Sequence, residues 1–268
     1  SELLFHLLIS LKLKTMSIRS FFSSVIVSAI LLLMAGCKEN SNTGHFQARM
    51  MDAPVAGDVQ EVNVELIGAE AFIVGTGWID LPITGGVYNL LQLANGIDTL
   101  FVNTNIPAGK LTQFRLKLGK NNTIKIDNRL QPLTVPAEAE PGLKVSVNEE
   151  ITDESTTVLF LDFDAAQSVV LNGNGDYVLH PVVRGFNAVQ TGAITGTYPA
   201  KGKTVTVEAQ TGVRVFTTYA EKQSGHFMLR GLPPGNYTMR IYTAESSSPV
   251  SITVVSVETN ALVDLGNL

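Results

Sequence analysis

The chain has 268 residues, 19 Lys+Arg against 24 Asp+Glu, and a formal net charge of −5. An acidic chain without a basic stripe cannot neutralise phosphates, so no nucleic-acid partner is expected. The sole cysteine, Cys37, leaves no internal disulfide, and with four histidines in all it excludes a structural zinc site of the usual Cys/His type.

Chain order begins with a segment that is not fold. Phe21–Gly36 runs for 16 residues without a charge, just short of the roughly 20 that a spanning helix needs. Arg19 precedes it and the small pair Ala35-Gly36 ends it, as in a secretory signal with its cleavage site. Leu33-Met34-Ala35-Gly36-Cys37 resembles the lipobox of bacterial lipoproteins, Met34 standing where that pattern favours Leu. The resemblance implies that the Cys37 thiol receives a diacylglyceryl group and becomes the new N-terminal residue. Met16 is the expected natural start, and residues 1–36 are set aside as upstream residues and signal peptide. Residues 37–44 read as a lipidated tether. From Cys37 onward the 232 residues hold 16 basic and 23 acidic side chains, a net of −7, and are long enough for two modest cores.

Residues 45–188 read as short alternating strands. Phe46, Ala48 and Met50 share one face, and Val62, Val64 and Leu66 another. Val87–Leu93 fits either a strand or a short helix. Thr112–Leu118 points Phe114, Leu116 and Leu118 inward, and Gly119–Asn122 is expected to reverse it into Ile124–Ile126 as a hairpin. Leu143, Val145 and Val147 alternate again. Thr157–Phe163 is the most apolar strand, hence expected at the centre of a sheet. Asn172-Gly173-Asn174-Gly175 turns the chain into Tyr177–Arg184.

The phrases Met51-Asp52-Ala53-Pro54, Tyr88-Asn89-Leu90-Leu91, Ile106-Pro107-Ala108-Gly109, Leu161-Asp162-Phe163-Asp164-Ala165 and Leu179-His180-Pro181-Val182-Val183-Arg184 occur in this order. In order and spacing they resemble the domain of unknown function 4382 found in bacterial lipoproteins. The resemblance covers about 140 residues up to Arg184; it implies an exported β-sandwich-like domain and no activity.

Three features invite a chemical reading. Asp162 and Asp164 leave one face of a strand end, and paired carboxylates can work on a glycosidic bond or hold a metal. The plainer expectation is that both stand in water, ionised and inert. Asn172–Asp176 spaces oxygen side chains as a calcium loop does, yet lacks the downstream Glu and reads as a turn. Trp78, after Gly75-Thr76-Gly77, could stack on a sugar but is expected in the core. The motifs HExxH, GxSxG and GxxxxGKS/T are absent from the chain.

After a link at Asn187–Gln190, residues 189–268 form the second module. Gly192–Thr197 opens a strand, Val205 and Val207 alternate, and Phe227 and Leu229 lie opposite His226, Met228 and Arg230. Gly231 and Pro234-Gly235 turn the chain into a return strand with Tyr237, Met239 and Ile241. Gly225-His226-Phe227 through Gly231-Leu232-Pro233-Pro234-Gly235-Asn236-Tyr237 resembles the carboxypeptidase regulatory-like family, which implies a seven-stranded prealbumin-like sandwich without an active site. His226 has no nucleophile to serve and reads as a strand-surface residue.

The expected protein is all-β: two β-sandwich-like modules in tandem after a lipoprotein signal peptide. It needs no cofactor, sits at the outer membrane by its lipid on Cys37, and binds a glycan or protein partner without catalysis. A structural spacer is the alternative, and a glycan hydrolase using Asp162 and Asp164 the third reading.

Overall fold

The structure is a computed structural model, and it describes residues 42–52, 59–137, 141–246 and 248–268. Residues Asn42–Leu268 form one compact unit. The signal segment, the tether to Ser41 and the Ala53-Pro54 strand stop lie outside the described residues. No helix among the described residues is long and apolar enough to cross a membrane.

The first part of the chain contributes β1 (Thr43–Asp52), β2 (Val59–Ile73), β3 (Gly77–Leu81), β4 (Gly86–Asn89), β5 (Thr99–Pro107), β6 (Gly109–Leu118) and β7 (Thr123–Ile126). It continues with β8 (Arg129–Thr134), β9 (Leu143–Ile151), β10 (Thr156–Phe163), the one-turn helix α1 (Ala165–Ser168), β11 (Val169–Leu171), β12 (Tyr177–Leu179) and β13 (Val183–Asn187). A four-stranded sheet runs β13-β10-β1-β5, and a nine-stranded sheet is built on the long β2. Their inner faces meet in one core, where the Phe46 and Phe101 rings lie 6.3 and 6.2 Å from Phe114. Val87–Leu93 is both things the sequence allowed, since β4 runs into a 3-10 turn capped by the Asn89 side chain on the Leu91 N–H.

The expected hairpin at Gly119–Asn122 does not form. β6 and β7 both pair antiparallel with β2, β6 along Leu66–Ile73 and β7 along Val59–Asn63, so the chain continues along β2 instead of reversing. The Asn122 side chain explains this: it accepts from the Glu65 N–H at 2.8 Å and donates to the Gly119 carbonyl at 2.8 Å, pinning the interruption onto β2. Tyr177–Arg184 is likewise two short strands in different sheets, β12 beside β8 and β13 beside β10. The Asn172–Gly175 turn itself is present, with Asn172 Oδ1 accepting from the Asn174 and Asp176 N–H groups.

The second part supplies β14 (Gly192–Thr197), β15 (Val205–Thr211), β16 (Arg214–Tyr219), β17 (His226–Leu232), β18 (Gly235–Thr243), β19 (Ser251–Val257) and β20 (Leu262–Asn267). They form a three-stranded sheet β17-β14-β20 and a four-stranded sheet β16-β15-β18-β19. A second core lies between them, including Ile194, Phe227, Leu232, Val207, Tyr237 and Met239. Strand β18 therefore returns in the opposite sheet. The Tyr237 hydroxyl donates to the Pro233 carbonyl at 2.6 Å, fastening that crossover.

Strand β10 is central, as its apolar run implied, between β13 and β1. Leu159, Leu161 and Phe163 point into the first core, while its other face carries Phe160 and Asp162, both also buried. What covers that second face is the second module.

Candidate functional site

The outer face of the four-stranded sheet presents two cross-strand rows. Strand register sets Arg49 beside Phe160 beside Phe186, and Met51 beside Asp162 beside Arg184. Met51, Phe160 and Phe186 form a third small apolar cluster, the two rings stacked at 5.4 Å. The link expected at Asn187–Gln190 thus begins inside β13, whose Arg184 and Phe186 pair with Asp162 and Phe160 on β10 and lie against Arg230 and Gly231 of β17.

Arg184 is the hub. Its Nε donates to Asp162 Oδ2 at 2.7 Å, its Nη1 to the Gly231 carbonyl at 2.9 Å and its Nη2 to the Arg230 carbonyl at 2.7 Å. Its guanidinium also stands 5.2 Å from both the Phe186 and Phe216 ring centres. A second guanidinium returns the contact: Arg230 lies 4.4 Å over Phe160 and pairs with Asp98 at 3.1 Å, and Asp98 also pairs with Arg49. Gly231 is required here. Its φ of +67° is left-handed, and a Cβ would meet the Phe186 ring at 2.6 Å.

Two cavities flank Arg184. One, of about 240 Å³, is lined by Asp52, Asp162, Asp164, Arg184, Thr218 and Arg230, with Met51, Val183 and Leu229 as apolar wall. The other is an open cleft of about 760 Å³ edged by Glu149, Asn187, Gln190, Arg214 and Phe216.

The expectation that Asp162 and Asp164 both stand in water is corrected for Asp162. It is 8% exposed, because β10 is covered on both faces. Burial pushes its carboxyl upward, against the pull of Arg184. Asp164 is half-buried and caps α1, its Oδ1 accepting from the Gln167 N–H at 2.9 Å and its Oδ2 from Gln167 Nε2 at 2.6 Å. The acids do line one cavity, but three of their four oxygens already have partners.

Glu149 is a buried acid whose signal in the sequence is its place in an apolar alternation. It occupies the inward position of the alternation Leu143, Val145, Val147, Glu149, Ile151, and is 5% exposed. Asn187 Nδ2 reaches its Oε2 at 2.6 Å and Gln190 Nε2 at 3.4 Å. No cation among the described residues is paired with it, and burial raises its pKa.

The remaining candidates are structural. Trp78 is half-buried, not core, with Arg115 stacked 3.9 Å over its ring and Phe72 against its edge. His226 meets Thr195 Oγ1 at 3.0 Å, His45 meets Asn105 Oδ1 at 3.0 Å, and His180 is exposed. Among the described residues no three His, Cys, Asp or Glu side chains gather where they could hold a metal. Cys37 lies outside the described residues.

Residues 43–181 match the model of a family described as "Domain of unknown function (DUF4382)". The chain belongs to the DUF4382 family. The match ends before β13, so Arg184 and everything it touches on β17 lie beyond the matched residues. No curated protein matches the sequence. Among solved structures, the TIE protein of Bacillus anthracis is similar at 12% identity over 84% of this chain and 34% of its own, with a TM-score of 0.24. A leucine-rich repeat protein from Bacteroides thetaiotaomicron VPI-5482 is similar at 13% identity over 85% of this chain and 26% of its own, TM-score 0.20. The major pilin T-13 of Streptococcus pyogenes serotype GAS131465 shares 8% identity over 84% and 97%, TM-score 0.20. The chain spans about a third or less of the first two. Superpositions this loose say nothing of function.

Proposed function

We propose that this DUF4382 protein is a non-enzymatic cell-envelope lipoprotein, held at the outer membrane by acyl chains on Cys37, whose two modules act as one rigid binding arm for a glycan or protein partner. The observation that carries the non-enzymatic reading is the employment of the two acids. Asp162 anchors the Arg184 contact to the second module, and Asp164 holds the start of α1. An acid–base pair must instead be free to approach a substrate bond from two sides. At about 0.8 kcal/mol per buried CH₂, two or more acyl chains give a stable anchor.

A spacer role is the second reading, and one observation favours it. The exposed large hydrophobics among the described residues are aliphatic, such as Ile67, Leu130, Val213 and Val254, and the tryptophan, Trp78, is half-buried with Arg115 over its ring. A protein partner retains support from the edge strands β16, β19 and β20, which expose Val215, Val254 and Leu262 and suit strand addition.

The test compares the whole chain with its Asp162→Asn/Asp164→Asn variant on glycan, ester and peptide substrates, and follows Cys37→Ala through membrane fractionation. Neither protein should turn over substrate, and Cys37→Ala should lose its lipid and become soluble. Turnover by the parent that vanishes in the double variant would make this an enzyme. A Cys37→Ala protein that still resists alkaline wash would make the preceding run a membrane span.

A further inference from the structure

A sheet edge is a liability, since its unpaired N–H and C=O groups invite a further strand, and proteins blunt it with charge, proline, a bulge or a covering segment. The longer described edges of this molecule are blunted in those ways. Strand β5 is covered by the Ile83–Val102 bridge and by the Thr84 N–H on the Phe101 carbonyl. Strand β9 carries Lys144, Glu149 and Glu150 and a break in its register with β6. Asn95 takes the Met228 N–H of β17, β20 carries Asp264 and a register break, and β16 carries Arg214. Strand β19 is the exception. Ser251–Val257 holds no charge and no proline, pairs with β18 without a register break, and joins no third strand among the described residues. Val255 and Val257 face the second core, while Val254 and Ser256 face outward, Val254 at 71% exposure. At about 3.4 Å per residue, the open edge is about 24 Å long.

The residues themselves select the occupant. A partner recognised by charge would need a charge to meet, and β19 has none. Its side chains instead match their own reverse. Antiparallel pairing about a two-fold axis at Val254, the midpoint, sets Ser251 against Val257, Ile252 against Ser256 and Thr253 against Val255. Each off-axis pair puts a hydroxyl residue beside a branched aliphatic one, and no like charges meet although each chain carries a net −5. The faces also agree, since Val255 and Val257 stay on the core side in both copies. Such pairing closes on itself. It uses up both β19 edges, and the far end of each sheet is β16, whose Arg214 and Phe216 edge the cleft against the first module. We infer that the protein pairs with a second copy of itself through β19, joining two four-stranded sheets across a two-fold axis at Val254. This goes beyond the envelope reading and stands whether or not Cys37 carries lipid. One strand edge buries less than the roughly 1,000 Å² of a stable complex, so the dimer is weak, with a Kd of about 100 µM.

The experiment uses residues 42–268, one compact unit that holds both cores and lacks the sole cysteine. Sedimentation velocity across that concentration should show a reversible monomer–dimer equilibrium. Val254→Lys, which sets two like charges at the axis, should raise the Kd at least about tenfold. Under mild oxidation Val254→Cys should form a disulfide dimer at least about tenfold faster than Val213→Cys or Leu262→Cys, although those two sites are 97% and 60% exposed. The cysteine series carries the test alone where Val254→Lys fails to fold. A parent that stays monomeric up to about 1 mM, an unchanged Kd in Val254→Lys, equally fast linking at Val213 or Leu262, or growth past the dimer would each overturn the assignment.

Discussion

Replacing Arg184 with Met tests how far the junction rests on one guanidinium. The change keeps an unbranched apolar stem and removes three contacts: the pair with Asp162 and the bonds to the carbonyls of Arg230 and Gly231. It also strands Asp162, whose side chain is only 10% exposed. Breaking a buried pair from one side costs about 3–5 kcal/mol. The Arg184 side chain is itself 38% exposed, so solvent screening reduces this to about 2–3 kcal/mol, roughly a 30- to 150-fold change in the folding equilibrium. The pH dependence has a definite sign. Burial already raises the folded pKa of Asp162, and loss of the cation raises it further. A carboxyl whose folded pKa exceeds its unfolded one loses stability as pH rises from the unfolded value through the folded one. The Arg184→Met deficit should therefore be largest near neutrality and shrink toward pH 4. Asp162→Asn should remove that slope, and the double variant should be less damaged than the sum of the two. The assay is urea denaturation of residues 42–268 across pH. A deficit under about 1 kcal/mol at pH 7, or one that does not change with pH, would refute the reasoning.

Two further outcomes follow from the same junction. Gly231→Ala combines a left-handed φ, about 1–2 kcal/mol, with overpacking against Phe186, about 1–3 kcal/mol; Gly212→Ala, at φ +56° in open space, should show only the first cost in the same melt. Glu149→Gln should stabilise the protein above the ordinary carboxylate range and leave it unchanged in acid, since the amide oxygen can still accept from Asn187 while the buried charge is gone; an equal effect at all pH values in denaturant titrations would remove burial as the cause.

The inward faces were legible because strand period is strict. Phe46, Ala48 and Met50, Val62 and Val64, and Phe227 and Leu229 are all buried as their alternation demands. Partner choice was less legible. Gly119–Asn122 has hairpin composition, yet a single Asn side chain on Glu65 N–H turns it into an interruption in a longer edge. β17 and β18 are joined by a turn of good hairpin chemistry and still belong to opposite sheets. Local residues specify that a chain bends, while the sheet it then joins depends on which core takes its apolar face. The same limit hid the junction. Asp162 ends an apolar strand and looks like a solvated terminus until a second module, contributed by residues some 50–70 positions later, covers it. Glu149 gave more warning, for a charge at an inward position of a regular alternation signals either burial or a cleft.

The junction is polar where it could have been greasy, and this bears on the rigid arm. Each module closes its own core without the other, so contact between them is not needed to bury either core. The close approach of the Phe186 ring to Gly231 alone would tolerate sliding, since apolar contacts have little directionality. Directional bonds remove that freedom: the Arg184 fork must meet two successive carbonyls, Arg230 must reach Asp98, and Asn95 must meet the Met228 N–H at 3.4 Å. Such contacts add little net stability but penalise every other orientation through unpaired groups. The strand nearest the proposed anchor is placed to match. β1 begins at Thr43, six residues after Cys37, and lies between β5 and β10, bonded along both edges. A pull through the tether would enter a central strand in shear, across two ladders at once, and pass through β10 to Asp162 and the second module.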